Sequence, residues 1–207
     1  MAYITGRRGF RRLDIEVTPA VLVPRPETEM LVEWVIEIAP EGATVLDWGT
    51  GSGAIALALA DERPDVSVTA IDRSQDALAV AIANGARLEL GIEWIVSDGF
   101  AALAGRRFDV IAANPPYLSE QDLAAAPAEL SFEPRGALVA GPRGDETIDR
   151  LVREAPGYLA PGGVLVIEVG EGQAAIAVQR LGAAGFAEAA ARDDLAGIAR
   201  TVLGRLA

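Results

Sequence analysis

The sequence contains no cysteine, no histidine and no lysine, so all 18 of its basic residues are arginine. Without cysteine the chain cannot form disulfides or thiolate nucleophiles, and without histidine it lacks the usual zinc ligands and Ser-His-Asp triads. The absence of lysine excludes Schiff-base chemistry and the phosphate-binding loop that requires a lysine. We therefore expect no metal site, and any catalysis has to use carboxylates, amides, hydroxyls, arginine, backbone groups or a cofactor.

Long apolar runs and an excess of positive charge are also missing. No stretch reaches the roughly 18 apolar residues of a membrane span, and the arginine-rich residues 7–12 are not followed by the apolar core of a signal peptide. With 30 acidic residues the formal net charge is −12, which is too acidic for a dedicated duplex-binding module. We expect a cytoplasmic monomer without a membrane partner, and the charge disfavours a nucleic-acid partner.

The 207 residues suffice for one α/β domain behind a short N-terminal segment. Residues 3–17 predict a hairpin, because apolar and acidic residues alternate over 13–17 after a turn at residues 6–9. Residues 26–39 have the apolar spacing of a helix. We divide the chain into a β-hairpin segment, residues 1–24, and a sheet domain, residues 25–207.

From residue 44 onwards, short apolar runs alternate with helical patterns. Strands are predicted at residues 44–48, 67–72, 94–97, 108–113 and 164–169. Helices are predicted at residues 54–61, 75–90, 147–158 and 174–181. This alternation predicts a doubly wound, Rossmann-like sheet, mostly parallel, that ends in a closing pair at residues 187–192 and 200–204 with an antiparallel last strand.

Glycines cluster where the first strand of this alternation ends. The run Gly49, Thr50, Gly51, Ser52 and Gly53 leads directly into a helical pattern, so the backbone can pass close to a ligand while helix N–H groups face it. Asp72 ends the next strand, where a carboxylate can accept both hydroxyls of a ribose. These features predict a site for a nucleoside-containing cofactor.

The identity of the cofactor is less sharply indicated. The glycine spacing over residues 51–56 also matches the dinucleotide fingerprint, so a nicotinamide or flavin site stays open, as does a plain tight turn. Asp47 favours S-adenosylmethionine, because a carboxylate before the glycines would repel a pyrophosphate but suits an ammonium group. Asp98 ends the third strand and could contact an adenine amino group or merely cap the strand, and Phe100 could supply an apolar wall.

The fourth strand ends in Asn114-Pro115-Pro116-Tyr117, which would share a crevice with the glycines at the carboxyl ends of the strands. A planar NH₂ group conjugated to a carbonyl or a ring is a poor nucleophile, because its lone pair is delocalised. The Asn114 oxygen and the Pro115 carbonyl could each accept one of its hydrogens and aim the lone pair at a methyl carbon. The prolines hold these acceptors rigid, and the Tyr117 ring can stack on the flat group. The alternative is a proline-bounded turn.

With both motifs in place, the sequence resembles the Asn/Asp-Pro-Pro-Tyr class of methyltransferases, which act on planar nitrogens. Residues 21–29, Val-Leu-Val-Pro-Arg-Pro-Glu-Thr-Glu, narrow the resemblance to the peptide chain release factor glutamine methyltransferases. Tyr-Ile-Thr-Gly at residues 3–6, Phe-Glu-Pro at 132–134 and Thr-Val-Leu-Gly at 201–204 match in order and spacing, so the resemblance covers essentially the whole chain. It implies a class I S-adenosylmethionine-dependent fold and methylation of the side-chain amide nitrogen, N5, of the glutamine in the Gly-Gly-Gln motif of a release factor.

The resemblance also implies roles for particular positions. Residues 49–53 and Asp72 would hold S-adenosylmethionine, and Asn114 with the three residues after it would bind the glutamine amide beside the cofactor. Asp98, Gly99 and Phe100 would lie around the adenine of the cofactor. Arg25 and Glu27 would lie near the methionine end of the cofactor or the substrate entrance.

The chain departs from the family pattern in two respects. Family members often carry an aromatic residue where this chain has Gly99, so the adenine contact at this position would come from the backbone. The family also has a helical domain ahead of the Tyr-Ile-Thr-Gly segment, which here begins at Tyr3, so the resemblance covers the catalytic domain.

Two other functions stay open on the sequence alone. The first is methylation of an exocyclic amine on a nucleic acid base, which uses the same loop geometry and for which the arginines of residues 7–12 would form a local basic patch. The second is a non-catalytic cofactor-binding protein.

Overall fold

The computed structural model describes residues 2–207, and its main feature is a seven-stranded sheet. The strands are β1 (Arg7–Phe10), β2 (Leu13–Glu16), β3 (Thr44–Trp48), β4 (Ser67–Asp72), β5 (Glu93–Val96), β6 (Phe108–Ala113), β7 (Leu118–Ser119), β8 (Val139–Gly141), β9 (Leu159–Glu168), β10 (Phe186–Asp193) and β11 (Ala199–Leu206). The helices are α1 (Ala2–Thr5), α2 (Thr28–Ile38), α3 (Ala54–Glu62), α4 (Gln75–Leu88), α5 (Glu120–Ala125), α6 (Arg135–Leu138), α7 (Glu146–Glu154) and α8 (Ala174–Ala183). Two 3₁₀ turns lie at Ala128–Phe132 and Ala155–Gly157.

The main sheet has the strand order β10-β11-β9-β6-β3-β4-β5. Only β11 runs against its neighbours in this sheet, which confirms the predicted doubly wound, mostly parallel sheet with an antiparallel last strand. The strand order reverses between β3 and β6, because the chain moves outwards through β4 and β5 and then returns to the other side of β3. A crevice forms outside the carboxyl ends of the strands at such a reversal.

The two faces of the sheet bury separate hydrophobic clusters. Val45 of β3 packs on the face covered by α2 and α3, whereas the next residue, Leu46, packs on the face covered by α7 and α8. Successive side chains of a strand point to opposite faces, so a strand covered on both sides has to be apolar throughout. This explains why the bounds of β3, β4 and β6 agree with those predicted from the apolar runs.

The hairpin forms, but its turn lies elsewhere than predicted. The residues assigned to the turn belong mostly to β1, and the chain reverses at Arg11, whose φ is +53°. Long-range contacts hold this conformation: the Arg11 backbone N–H donates to Glu29 at 3.0 Å, and its guanidinium pairs with Glu62 at 2.7 Å. Phe10 belongs to the same buried cluster as β3, so the hairpin shares the core of the sheet. Met1 of the predicted segment lies outside the described residues.

Residues 118–141 form a small unit that the sequence did not indicate. It contains β7, α5, a 3₁₀ turn, α6 and β8, and β7 pairs with β8 in parallel. Each element is too short to show a hydrophobic period. Several predicted elements differ by one or two residues at their ends, and two differ by more. The helix α7 gives way to a 3₁₀ turn at Pro156, which lacks a backbone N–H, and β9 starts at Leu159, which pairs with Phe108 ahead of a register shift.

A substitution at Gly204 of β11 would test how tightly the sheet packs against α8. An added Cβ would lie 2.8 Å from Leu181 Cδ2 and 2.9 Å from Phe186 Cδ1, both in buried side chains. We expect Gly204→Ala to lower the free energy of unfolding by about 1–3 kcal/mol in a urea titration, because overpacking forces these side chains apart. Gly91→Ala meets open space and should change it by less than about 0.5 kcal/mol. Equal effects of the two substitutions would contradict the packing described here.

Candidate active site

A cleft of about 510 Å³ opens where the strand order reverses. This volume is in the usual range for small-molecule and cofactor sites. Most of the predicted site residues line it: Gly49, Thr50, Gly51, Ser52, Asp72, Asp98, Gly99, Asn114, Pro115 and Pro116. The structure thus brings the two predicted motifs into one cleft.

A roof over the cleft comes from two distant segments, residues 20–24 and 134–140. Glu133 joins them, because its carboxylate accepts a hydrogen bond from the Val23 backbone N–H at 3.2 Å and forms an ion pair with Arg25. Arg25, predicted near the methionine end of the cofactor or the substrate entrance, is not among the residues that line the cleft, and its ion pair with Glu133 holds it beside the roof.

The glycines after β3 divide into two kinds. Gly49 and Gly51 have φ values of +76° and +56°, and no heavy atom lies within 4 Å of where a Cβ would stand, so their backbone leaves room for a ligand. Gly53 also has a positive φ, +87°, but a Cβ there would lie 3.0 Å from Leu57 and 3.3 Å from Trp94. Gly53 therefore serves the packing of α3, and it does not line the cleft.

Asp72 connects the glycine loop to the next helix. One carboxylate oxygen accepts from the Gly51 N–H at 2.9 Å, and the other accepts from the Ser74 N–H at 2.8 Å. Each carboxylate oxygen can accept more than one hydrogen bond, so both keep capacity for hydroxyl groups of a ligand in the cleft. The position of Asp72 is compatible with the predicted ribose contact.

The predicted adenine side differs from expectation in one residue. The Phe100 ring is only 2% exposed and stacks on Tyr158 at 4.3 Å, so it belongs to the core and forms no wall of the cleft. Its place beside the cleft is taken by Arg150, which pairs with Asp98 at 2.7 Å and lies over Gly99, where a Cβ would be 2.6 Å from the guanidinium. Arg150 was not predicted as a site residue, because it lies 52 positions from Asp98 in the sequence.

Asn114 directly follows β6, and its side-chain amide is held by a hydrogen bond on one side only. Its Nδ2 donates to the Thr28 hydroxyl at 3.0 Å, and that hydroxyl donates to Glu168 at 2.6 Å. Among residues 2–207, none donates a hydrogen bond to Asn114 Oδ1. Asn114 therefore presents a free acceptor at the cleft. Thr28 and Glu168 were not predicted as site residues, because their positions depend on the packing of α2 against β9.

The Tyr117 ring lies behind this loop. It packs beside Gly170, where an added Cβ would be 3.1 Å from the ring, and it is not among the residues that line the cleft. Burial, together with the nearby Glu168 carboxylate, raises the pKa of Tyr117 to about 12. Stacking of this ring on a substrate stays a prediction.

Asp47 does not face the cleft as the sequence argument assumed. It is fully buried, and one carboxylate oxygen accepts from the Thr50 hydroxyl at 2.6 Å and from the Ala56 N–H at 3.1 Å. Burial raises the pKa of Asp47 to about 7. Its hydrogen bonds hold the glycine loop from the protein interior. Asp47 therefore does not face a ligand in the cleft and cannot distinguish directly between an ammonium group and a pyrophosphate.

Within residues 2–207, no group of three or more acidic residues is placed to hold a metal ion. Over that same range, no helix has both the length and the apolar character needed to cross a membrane.

Solved structures share this architecture. A methyltransferase from Pyrococcus furiosus superimposes with a TM-score of 0.70 at 20% identity, covering 93% of this chain and 88% of that one. The Thermus thermophilus 16S rRNA N2 G1207 methyltransferase, solved with AdoMet and guanosine, gives 0.69 at 20% identity and covers 97% of this chain and 50% of that one. The family model "Methyltransferase small domain" matches residues 26–133. The family model, which covers more than half of the chain, identifies a methyltransferase, and the shared fold agrees with it.

Curated relatives narrow the class further. A release factor glutamine methyltransferase from Burkholderia pseudomallei is 46% identical, with 100% of this chain and 75% of that protein covered. The corresponding enzyme from Pseudomonas aeruginosa is 48% identical, with coverages of 100% and 76%. This chain belongs to the release factor glutamine methyltransferase family, which confirms the resemblance drawn from its motifs, and it spans about three quarters of the length of these relatives.

The buried Asp47 carboxyl makes stability depend on pH. Its pKa is about 7 in the folded chain against 3.8 for the free group, so between about pH 4 and pH 7 the unfolded chain releases this proton first and stability falls as pH rises. We expect Asp47→Asn to abolish this contribution. Urea unfolding at pH 5 and pH 8 should show the variant gaining stability relative to wild type at the higher pH. The exposed Asp76→Asn serves as the matched control. A difference between Asp47→Asn and wild type that is the same at pH 5 and pH 8 would contradict the assignment.

Proposed function

We propose that this protein transfers a methyl group from S-adenosylmethionine to the side-chain amide nitrogen, N5, of the glutamine in the Gly-Gly-Gln motif of a peptide chain release factor. The observation that carries the proposal is the free Oδ1 acceptor of Asn114 in the same cleft as the open glycine loop. Family membership supports the choice of substrate, since the curated relatives are named for it. Because release factors act on ribosomes, the proposal places the protein in the cytoplasm.

The residues of the cleft suit the proposed methyl donor. When bound, S-adenosylmethionine supplies an electrophilic methyl carbon. The open backbone at Gly49 and Gly51 leaves space for the donor, and Asp72 has acceptor capacity for its ribose hydroxyls. Asp98 and Gly99 line the same cleft and are the proposed contacts of its adenine. The cleft volume of about 510 Å³ is sufficient for a molecule of this size.

The proposed role of the Asn114 loop follows from the electronic structure of an amide. The glutamine nitrogen is a weak nucleophile because its lone pair is shared with the carbonyl. When Asn114 Oδ1 and the Pro115 carbonyl accept its two hydrogens, the nitrogen is fixed in orientation and its lone pair becomes available towards the methyl carbon. After transfer the nitrogen releases one proton to water, so the absence of histidine is no obstacle.

A first prediction concerns donor binding. Asp72→Ala should weaken S-adenosylmethionine binding by roughly 1.5–3 kcal/mol, because it removes charge-assisted hydrogen bonds, which corresponds to about 10- to 150-fold in Kd. Isothermal calorimetry measures this directly. Asp76→Ala removes the same charge from an exposed position outside the cleft and serves as the matched control. Unchanged affinity in Asp72→Ala, or binding of NAD in place of the donor, would overturn the cofactor assignment.

A second prediction concerns the reaction. With labelled donor, wild-type protein should label a release factor, and should label neither a release factor whose motif glutamine is replaced nor DNA or RNA. Asn114→Ala should lower the single-turnover rate at saturating donor about 100-fold with donor affinity unchanged, because the nucleophile loses its alignment. Label in nucleic acid would favour base methylation instead, and a wild-type rate in Asn114→Ala would show that the amide is activated elsewhere.

A further inference from the structure

A chain of directional hydrogen bonds leads from the interior of the protein to the cleft. It begins at Glu168, which ends β9 and is 2% exposed. This carboxylate accepts from the hydroxyl of Thr28, the first residue of α2, which is 3% exposed, and Thr28 accepts from Asn114 Nδ2. The three residues come from three elements, with 140 positions between Thr28 and Glu168 and 86 between Thr28 and Asn114.

The direction of these bonds determines which end of the Asn114 amide is left free. A hydroxyl has a single hydrogen, and because Thr28 gives it to Glu168, Thr28 can only accept from Asn114. That requirement turns the amide nitrogen towards Thr28 and leaves Oδ1 as the acceptor. An ionised carboxylate can only accept, so the direction is fixed for as long as Glu168 is charged.

Protonation of Glu168 removes this constraint. A neutral carboxyl group has an O–H that can donate to Thr28, and the Thr28 hydrogen is then free to turn towards Asn114. Asn114 would meet that hydrogen with Oδ1 and expose its NH₂ to the cleft. An NH₂ group cannot accept the hydrogens of a substrate amide, so this arrangement cannot orient the substrate.

We propose that Thr28 and Glu168 are positioning residues that select the orientation of the Asn114 amide, and that methyl transfer requires the ionised form of Glu168. The inference rests on the proposed function, since the substrate NH₂ group is what Asn114 Oδ1 receives. It gives a role to Thr28, the threonine of the Pro-Arg-Pro-Glu-Thr segment. It also makes the orientation of the substrate amide nitrogen depend on the protonation of Glu168.

The surroundings of Glu168 place its ionisation in an accessible pH range. Burial raises its pKa to about 7, opposed by the hydrogen bond from Thr28. The charged groups that face it are Glu27 next to α2, which raises the pKa further, and Arg200 of β11 and Arg25, which lower it. Tyr117, on the loop after β6, stays neutral beside it. Activity should therefore be lost as pH falls through about 7, where Glu168 gains its proton.

The threonine is tested by one substitution that removes its hydroxyl and one that keeps it. At saturating donor, Thr28→Val should lower the single-turnover rate about 10- to 100-fold with donor affinity unchanged, whereas Thr28→Ser should stay within about threefold of wild type because it keeps the hydroxyl. The matched control is Thr69→Val on β4. Thr69 is also buried, donates to Glu93 at 3.0 Å and accepts from Arg106 at 3.0 Å, but it lies outside the cleft.

The glutamate is tested by the pH profile. The wild-type rate should fall about tenfold per unit below pH 7, the slope for one required ionisation, and Glu168→Gln should lose that dependence because its side chain does not titrate. An unchanged profile in Glu168→Gln, or equal rates for Thr28→Val and Thr69→Val, would overturn the inference.

A spectroscopic readout separates this inference from the proposed substrate. The side-chain NH₂ signals of Asn114, assigned by their loss in Asn114→Ala, should shift with pH in the free protein and follow the titration of Glu168. They should not shift in this way in Glu168→Gln. If wild type fails to methylate any release factor, the proposed function fails while this titration still decides the inference. Signals that do not move in wild type would overturn it.

Discussion

The parallel pairing of β3 with β6 is the constraint on which the site depends. Trp48 lies opposite Ala113 in this ladder, so the residues that follow the two strands, Gly49 and Asn114, enter the same cleft from adjacent positions. These two residues are 65 positions apart in the sequence, and the reversal of strand order brings them together. The loop proposed for the methyl donor and the loop proposed for the nucleophile are therefore held at a spacing of one strand by backbone hydrogen bonds.

Two buried carboxyl groups support these loops from beneath, and they do so by the same chemistry. Asp47 accepts from the hydroxyl of Thr50 in the glycine loop, and Glu168 accepts from the hydroxyl of Thr28 behind Asn114. Burial raises the pKa of both carboxyl groups to about 7, which is a cost to the folded state at neutral pH. Both carboxyl groups fix the position of groups around the cleft, and shifted pKa values are common at functional sites.

The parts of this structure that could be predicted are those in which local sequence decides the outcome. Both faces of β3, β4 and β6 are covered, so their sequences are apolar runs that can be recognised. The glycines after β3 have positive φ values, which residues with a side chain adopt only with strain. The parts that could not be predicted depend on distant partners. The turn at Arg11 is held by Glu62, the place expected for Phe100 is taken by Arg150, and Asp47 faces inwards, although its position before the glycines suggested a contact with the ligand.

The roof of the cleft ties ligand binding to the whole domain. Its two segments are joined through Glu133, which lies 110 positions from Val23, and the floor comes from strands on either side of the reversal. No part of the chain forms this cleft alone, and a chain that has lost its tertiary structure has no partial version of it. Occupancy of the cleft and cooperative folding are therefore linked, and a bound ligand stabilises the sheet, the hairpin and the roof together by mass action.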